Sequence, residues 1–133
     1  MKLIDTNIFL RFLTSDDPVK AKRCENMFRR AIKGGETLYT TDIVIIELVW
    51  VLESYYGLSK QAVRDKIEKI LNTPNLQCPN KALLFECASL YEIKDINFVD
   101  AYNALIMREK GIKTVYSYDP HFDRIDWVKR NEP

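Results

Sequence analysis

The chain has 133 residues, of which 47% are hydrophobic and 29% are charged, and its formal net charge is +1. This length suits one domain over residues 1–133, and no segment approaches the ~18 uninterrupted apolar residues that span a membrane. A charge so close to neutral excludes a general attraction to nucleic acid, so a polyanion would have to meet a local patch.

The first half alternates short apolar strands with longer helices, each bounded by a capping residue, a proline or glycines. The elements predicted here are a buried strand at 2–5, a helix from 6 or 7 to about 13, a helix at 15–33, a strand at 37–40, and helices at 42–57 and 59–72. Isoleucine and valine dominate 42–57, but its length, its Thr41 or Asp42 cap and the closing Gly57 favour a helix.

The second half repeats this alternation. Its predicted elements are a short strand at 76–78, helices at 81–93 and 98–111, a strand at 113–117, a turn at 119–121 and an edge strand at 125–128. Strands that alternate with helices indicate βαβ units and a parallel sheet covered on both faces, so the fold class is α/β.

Four carboxylates are predicted to lie at one edge of that sheet. Asp5 ends the first strand, and ligands bind at the carboxyl ends of strands in open α/β folds. Asp100 lies in the first turn of a helix that leads into a strand. Because such a helix runs antiparallel to the strand, the helix begins at the same edge of the sheet. Glu47 lies one to two turns into the helix after the second strand, and Asp119 follows strand 113–117 by two residues.

Glu47 is the most informative of these acids. It interrupts a run that is apolar on nearly every helical face, and no Lys or Arg lies between Asp42 and Ser59, so we expect it to be shielded from solvent. An unpaired buried carboxylate costs several kcal/mol unless it is protonated, paired or bound to a metal. Oxygen ligands alone favour Mg²⁺ or Mn²⁺ over Zn²⁺.

Each acid also has a simpler explanation. Asp5 could cap the next helix, and Asp100 could be a favourable charge at a helix N-terminus. Asp119 could be an ordinary turn residue before proline, and Glu47 could pair with a distant arginine. Only the joint arrangement of the four favours a metal site over these separate roles.

The stretches IDTNIFLRFL, TTDIVIIELVWVL, NFVDAYNALIMREKG and SYDPHFDRI resemble the PIN-domain nucleases, especially the small VapC-type toxins of toxin–antitoxin pairs. The resemblance implies an α/β/α sandwich around a central parallel sheet and Mg²⁺- or Mn²⁺-dependent cleavage of RNA. It also implies an acidic cluster of Asp5, Glu47, Asp100 and Asp119, with Asn7 and Ser117 as polar neighbours of the metal. Ser117 replaces the threonine that is commoner in the family and retains a hydroxyl.

The resemblance further implies a homodimer, inhibition by a small antitoxin, and a cytoplasmic location. Arg11, near the first motif, is a candidate contact for the RNA backbone, although a basic residue on a helix is more often simply solvated. A housekeeping RNA-processing nuclease and a non-catalytic interaction module with the same fold stay open as alternatives. A phosphatase-type protein fits less well, because it would have an aspartate where this chain has Asn7.

Overall fold

The computed structural model describes all residues, 1–133. The chain forms two compact units, Met1–Lys81 and Ala82–Pro133. Its elements in chain order are β1 (Lys2–Leu3), α1 (Thr6–Leu13), α2 (Pro18–Ile32), β2 (Leu38–Tyr39), α3 (Asp42–Ser54), α4 (Lys60–Leu71), β3 (Leu76–Gln77), α5 (Lys81–Ile93), α6 (Phe98–Lys110), β4 (Thr114–Tyr116), a 3₁₀ helix (Pro120–Arg124) and β5 (Lys129–Asn131). None of the six α-helices has the length and hydropathy of a membrane span.

The first unit contains a parallel sheet in the order β1-β2-β3. Parallel strands need a crossover, which α1 and α2 provide before β2 and α3 and α4 provide before β3. Helices α3 and α4 start within a residue of the predicted positions, because Thr41 caps α3 through the amide of Val44 and Ser59 caps α4 through the amide of Ala62.

Apolar residues from each of these helices fill the core of the first unit. Phe9 of α1 and Phe28 of α2 are buried, with ring centroids 5.8 Å apart. Leu38 of the central strand β2, Ile45 of α3 and Ile67 of α4 are fully buried as well. The core therefore joins the central strand to all four helices.

The second unit consists of most of α5, then α6, β4, the 3₁₀ helix and β5. The Tyr91 ring of α5 packs edge-to-face on Phe98 of α6, with centroids 5.6 Å apart. Helix α6 ends at Gly111, whose φ of +70° is a left-handed conformation that glycine adopts without a steric penalty. Strands β4 and β5 pair in parallel, from Thr114 opposite Lys129 to Tyr116 opposite Asn131.

The α/β class with parallel strands is confirmed, and two details of the sequence prediction are wrong. The strand predicted as buried over 2–5 is Lys2–Leu3, and both residues are exposed, because β1 lies at the edge of the three-stranded order. The edge strand predicted at 125–128 is Lys129–Asn131. Residues 125–128 instead anchor a turn, in which Ile125 is buried and the indole N–H of Trp127 donates to the carbonyl of Ala104.

Candidate active site

Asp5 and Glu47 of the first unit are connected through Thr6. Asp5 is the N-cap of α1, where its Oδ1 accepts a hydrogen bond from the amide of Thr6 over 2.7 Å. The hydroxyl of the same Thr6 donates to Oε2 of Glu47 over 2.8 Å. Thr6 itself is buried, with 3% of its surface exposed. One buried threonine therefore positions both carboxylates, which we call the first carboxylate pair.

The prediction that Glu47 is shielded from solvent is wrong. Glu47 is exposed, on a stripe of α3 that also carries Ile43 and Trp50, which are 76% and 66% exposed. Its neighbours Leu48 and Val49 are buried, so α3 packs one side into the core although its sequence is apolar almost all round. An exposed carboxylate with one hydrogen-bond donor needs no compensating cation for stability.

Asp100 and Asp119 form a second carboxylate pair in the second unit. Asp100 lies in the first turn of α6, and Asp119 precedes the 3₁₀ helix. Burial raises the pKa of the Asp100 carboxyl, and the charge of Asp119 and a hydrogen bond with it raise that pKa further. These two carboxylates therefore lie close together, at a place where one of them resists ionisation.

The segment around Asp119 holds its carboxylate in place. Oδ1 of Asp119 accepts the amide N–H of His121 over 2.9 Å, and this hydrogen bond is the main cause of the lowered pKa of Asp119. The His121 ring nitrogen Nδ1 lies 3.2 Å from the same oxygen. On the other side, the amide of Asp119 donates to the Ser117 hydroxyl over 3.0 Å. Ser117 thus shapes the turn that presents Asp119.

Two other predicted site residues occupy different positions on α1. Asn7 is exposed in its first turn. Arg11 is half-buried in its last turn, where its charge partly opposes the burial that raises the pKa of the Cys24 thiol. Arg11 lies six positions after Asp5, about 9 Å along the helix axis. Arg11 is therefore at the far end of α1 from the first carboxylate pair.

The structure contains no group of three or more His, Cys, Asp or Glu side chains placed to hold a metal ion. It does join Asp5 to Glu47 through Thr6 and brings Asp100 close to Asp119. A single site built from all four acids stays a prediction.

The PIN domain family model matches residues 2–128, which is nearly the whole chain. The chain belongs to the PIN domain family. A VapC ribonuclease of Aquifex aeolicus is 31% identical to this PIN protein over 131 residues, which cover 98% of this chain and 96% of the relative. The crystal structure of Mycobacterium tuberculosis VapC20, a sarcin–ricin loop cleaving toxin, aligns with a TM-score of 0.44 and 18% identity, covering 96% of this chain and 97% of that one.

Sequence reasoning on this PIN chain missed the role of Thr6. Asp5 is the cap of α1, as the sequence allowed, and the hydroxyl of Thr6 donates to Glu47, a contact that the sequence did not predict. The available signal was the polar residue directly after Asp5, inside a helix that is otherwise mostly apolar. A partner 41 positions away cannot be identified from that signal alone.

Proposed function

We propose that this PIN-domain chain is a metal-dependent endoribonuclease that hydrolyses RNA phosphodiester bonds, acting over residues 1–133 as one functional domain. The observation that carries the proposal is the second carboxylate pair, in which two acidic side chains lie so close that Asp119 adds to the burial that raises the pKa of Asp100. The relative named a ribonuclease, which is 31% identical over nearly the full length, supports the same activity.

The donor set fits Mg²⁺ or Mn²⁺. Asp5, Glu47, Asp100 and Asp119 would supply carboxylate oxygens, the ligands that these hard cations prefer. The resistance of Asp100 to ionisation beside Asp119 is what a bound cation would relieve. When bound, the cation would lower the pKa of a water molecule and neutralise charge on the phosphate oxygens.

The residues around the acids keep these oxygens in position. Thr6 fixes the direction of the Glu47 carboxylate, and the His121 amide fixes that of the Asp119 carboxylate. Ser117 holds the backbone amide of Asp119. Asn7 and Ser117 would be polar neighbours of the cation, and Arg11 would contact the RNA backbone away from the reacting phosphate. Hydrolysis by an activated water needs no protein nucleophile, and the products would carry a 5′-phosphate and a 3′-hydroxyl.

We further propose that the chain is a toxin restrained by a small antitoxin in the cytoplasm. A groove of about 610 Å³ in the first unit supports this partner. Its floor includes Phe12 and Phe28, and its rim includes Lys22, Arg29 and Lys69, with the Lys69 ammonium 4.9 Å from the Phe12 ring centroid. An apolar floor suits a peptide segment that carries apolar side chains, and the rim carries both signs of charge, because Glu25 pairs there with Lys22 and Arg29.

The exposed stripe of α3 supports the proposed homodimer. Ile43 and Trp50 are large apolar residues on one helical face, and Tyr55, just after the helix, is 78% exposed. A second copy of the chain would remove this apolar surface from water. A housekeeping RNA-processing role is the alternative, and an antitoxin-like reading frame beside the gene would favour the toxin.

The test of the proposed activity is cleavage of single-stranded RNA with Mn²⁺, with Mg²⁺ and with a chelator. Asp5→Asn and Asp100→Asn should abolish cleavage while the circular dichroism spectrum stays native, because asparagine can still cap α1 in place of Asp5. The matched control is Asp126→Asn, which changes an exposed aspartate of the second unit and should cleave at the wild-type rate. Undiminished cleavage by both site variants would refute the assignment.

A folded wild-type chain that leaves RNA intact with either metal would favour the non-catalytic module. Turnover of a small phosphate monoester by that same chain would favour the phosphatase class instead.

A further inference from the structure

The segment that carries Asp119 is attached at both of its ends to one arginine. The guanidinium of Arg130 donates through Nη1 to the backbone carbonyl of Ser117 over 3.2 Å. Its Nε and Nη2 donate to the two carboxylate oxygens of Asp123 over 3.1 and 3.3 Å. Arg130 therefore closes residues 117–123 into a loop, which we call the Asp119 loop and which includes most of the 3₁₀ helix.

Arg130 is well placed to close this loop. Two parallel hydrogen bonds between a guanidinium and a carboxylate are stronger and more directional than one, and only arginine makes them. The Arg130 side chain is 18% exposed, and its backbone is fixed by the pairing of β5 with β4, where Arg130 lies opposite Val115. The guanidinium thus extends to the loop from a fixed position.

The guanidinium has little capacity left for an external ligand. It makes a fourth hydrogen bond, to Glu132 over 3.1 Å, so four of the five N–H donors of an arginine are used within the chain. The carboxylates of Asp123 and Glu132 balance its positive charge. A phosphate would have to displace these partners, so the contacts favour a role inside the protein over contact with RNA.

A second arginine attaches the same region to the segment that precedes Asp100. Arg124, the last residue of the 3₁₀ helix, donates through Nη1 to the carbonyls of Lys94 and Asp95 over 3.3 and 2.5 Å. Those two residues lie between α5 and α6, and Asp100 is in the first turn of α6. The loop that Arg130 closes is therefore attached, one residue beyond its end, to the start of the helix that carries Asp100.

The second carboxylate pair needs such support because like charges repel. The charge of Asp119 adds to the burial that raises the pKa of Asp100, which shows that ionising both groups is unfavourable. The hydrogen bond from the His121 amide to Asp119 is exposed, and exposed backbone hydrogen bonds open readily. Closing the loop restricts the positions to which Asp119 could move away from Asp100.

We propose that Arg130 is a positioning residue, which holds the Asp119 carboxylate beside Asp100 by closing the Asp119 loop. This inference rests on the proposed function, because it concerns how one carboxylate of that candidate site is kept in place. Groups that orient metal-binding side chains typically contribute about 10- to 100-fold to metal affinity or activity. Arg130 should contribute within that range.

The first measurement is amide hydrogen exchange of the metal-free chain, which needs neither RNA nor a cation. Arg130→Gln should speed exchange of the Asp119 and His121 amides by about 10-fold or more, because the loop loses charged hydrogen bonds and can open. Amides in the middle of α6 should exchange at the wild-type rate. Arg108→Gln is the matched control, because it removes an arginine of the same unit that pairs with Glu86, and it should leave both loop amides unchanged.

The second measurement is the Mn²⁺ dissociation constant by calorimetry, at a temperature where circular dichroism shows every variant to be folded. Arg130→Gln should raise it by about 10- to 100-fold, and Arg130→Lys should raise it too, because lysine keeps the charge but cannot make both hydrogen bonds to Asp123. Saturating Mn²⁺ should restore RNA cleavage. A raised KM for RNA that Mn²⁺ does not correct would assign Arg130 to RNA contact and overturn the proposal.

Asp123→Asn breaks the same contact from the other side and tests the proposal even where Arg130→Gln does not fold. It should also weaken Mn²⁺ binding, and the double variant should bind no more weakly than Arg130→Gln, because both changes remove one interaction. Additive losses would identify Asp123 as a ligand of the cation and overturn the proposal. Unchanged exchange of the Asp119 and His121 amides in Asp123→Asn would overturn it as well.

Failure of the positioning role differs from failure of the proposed function. A wild-type chain that binds Mn²⁺ and cleaves RNA, with no effect of Arg130→Gln on either, would lose only the positioning role. A wild-type chain that neither binds Mn²⁺ nor cleaves RNA would lose the proposed function, and hydrogen exchange would still decide whether Arg130 holds Asp119.

Discussion

Saturating Mn²⁺ should reverse the order of thermal stability of the wild type and Asp100→Asn. Without metal, we expect Asp100→Asn to unfold at the same temperature as the wild type or higher, because burial and the charge of Asp119 both oppose ionisation of Asp100. With saturating Mn²⁺, the wild type should become the more stable chain. The unfolding temperature of the variant should rise little with Mn²⁺, because the variant lacks one carboxylate of the second carboxylate pair.

The size of the metal effect follows from ligand linkage and chain length. A ligand at 100 times its dissociation constant stabilises the folded state by about 2.7 kcal/mol. For 133 residues, an unfolding entropy of about 2.1 cal/mol/K per residue gives about 0.28 kcal/mol/K in total. The wild-type midpoint should therefore rise by about 10 °C with Mn²⁺.

Thermal unfolding followed by circular dichroism, with Mn²⁺ and with chelator, measures both effects. Asp126→Asn is the control and should show the full wild-type rise, because its carboxylate is exposed outside both pairs. An equal rise in Asp100→Asn and the wild type would show that the cation binds elsewhere, and the assignment of the second carboxylate pair would then be refuted.

Three further changes test contacts elsewhere in the two units. Thr6→Val should slow RNA cleavage about 2- to 10-fold, because it removes the hydrogen bond to Glu47, and Thr6→Ser should cleave at the wild-type rate. Equal cleavage rates for Thr6→Val and the wild type would mean that this hydrogen bond does not contribute to activity. Glu36→Gln should lower the urea midpoint at neutral pH only. The hydrogen bond from Lys2 lowers the pKa of Glu36, so this interaction stabilises the fold above the ordinary glutamate pKa of 4.5, and the stabilisation disappears as the pH falls through the lowered pKa. A decrease in the urea midpoint that is the same at every pH would contradict this. Trp127→Phe should cost about 1–2 kcal/mol in urea unfolding, because the indole N–H donates to a carbonyl of α6, and an unchanged midpoint would exclude that role.

The helices were predictable because their ends carry local signals. Thr41 and Ser59 cap helices through neighbouring amides, and Gly111 ends α6 in a left-handed conformation. Strand β5 was not predictable in the same way. Its residues Lys129–Asn131 are polar, and what makes them a strand is backbone pairing with β4, which leaves no trace in the side-chain pattern.

The closeness of Asp100 and Asp119 was predictable from the sequence, whereas the surroundings of Glu47 were not. Chain order and strand ends predicted Asp100 near Asp119, since a helix that leads into β4 must begin where β4 ends. The exposure of Glu47 was missed, because an apolar sequence shows how much of a helix can be buried, whereas the packing of α3 decides which side is buried. The role of Thr6 was not predictable either, because it depends on a hydrogen bond to Glu47, which is distant in the sequence.

Asp5 and Asp119 each hold a backbone amide through Oδ1, and this has a consequence for affinity. Freezing a side chain on binding costs about 0.5–1.5 kcal/mol, but these two rotamers are already frozen when the chain folds. A cation bound at the proposed site would meet carboxylate oxygens that are already oriented, and it would have to order few side chains. Preorganisation of this kind would let a small domain bind a divalent ion with side chains that also start its helices.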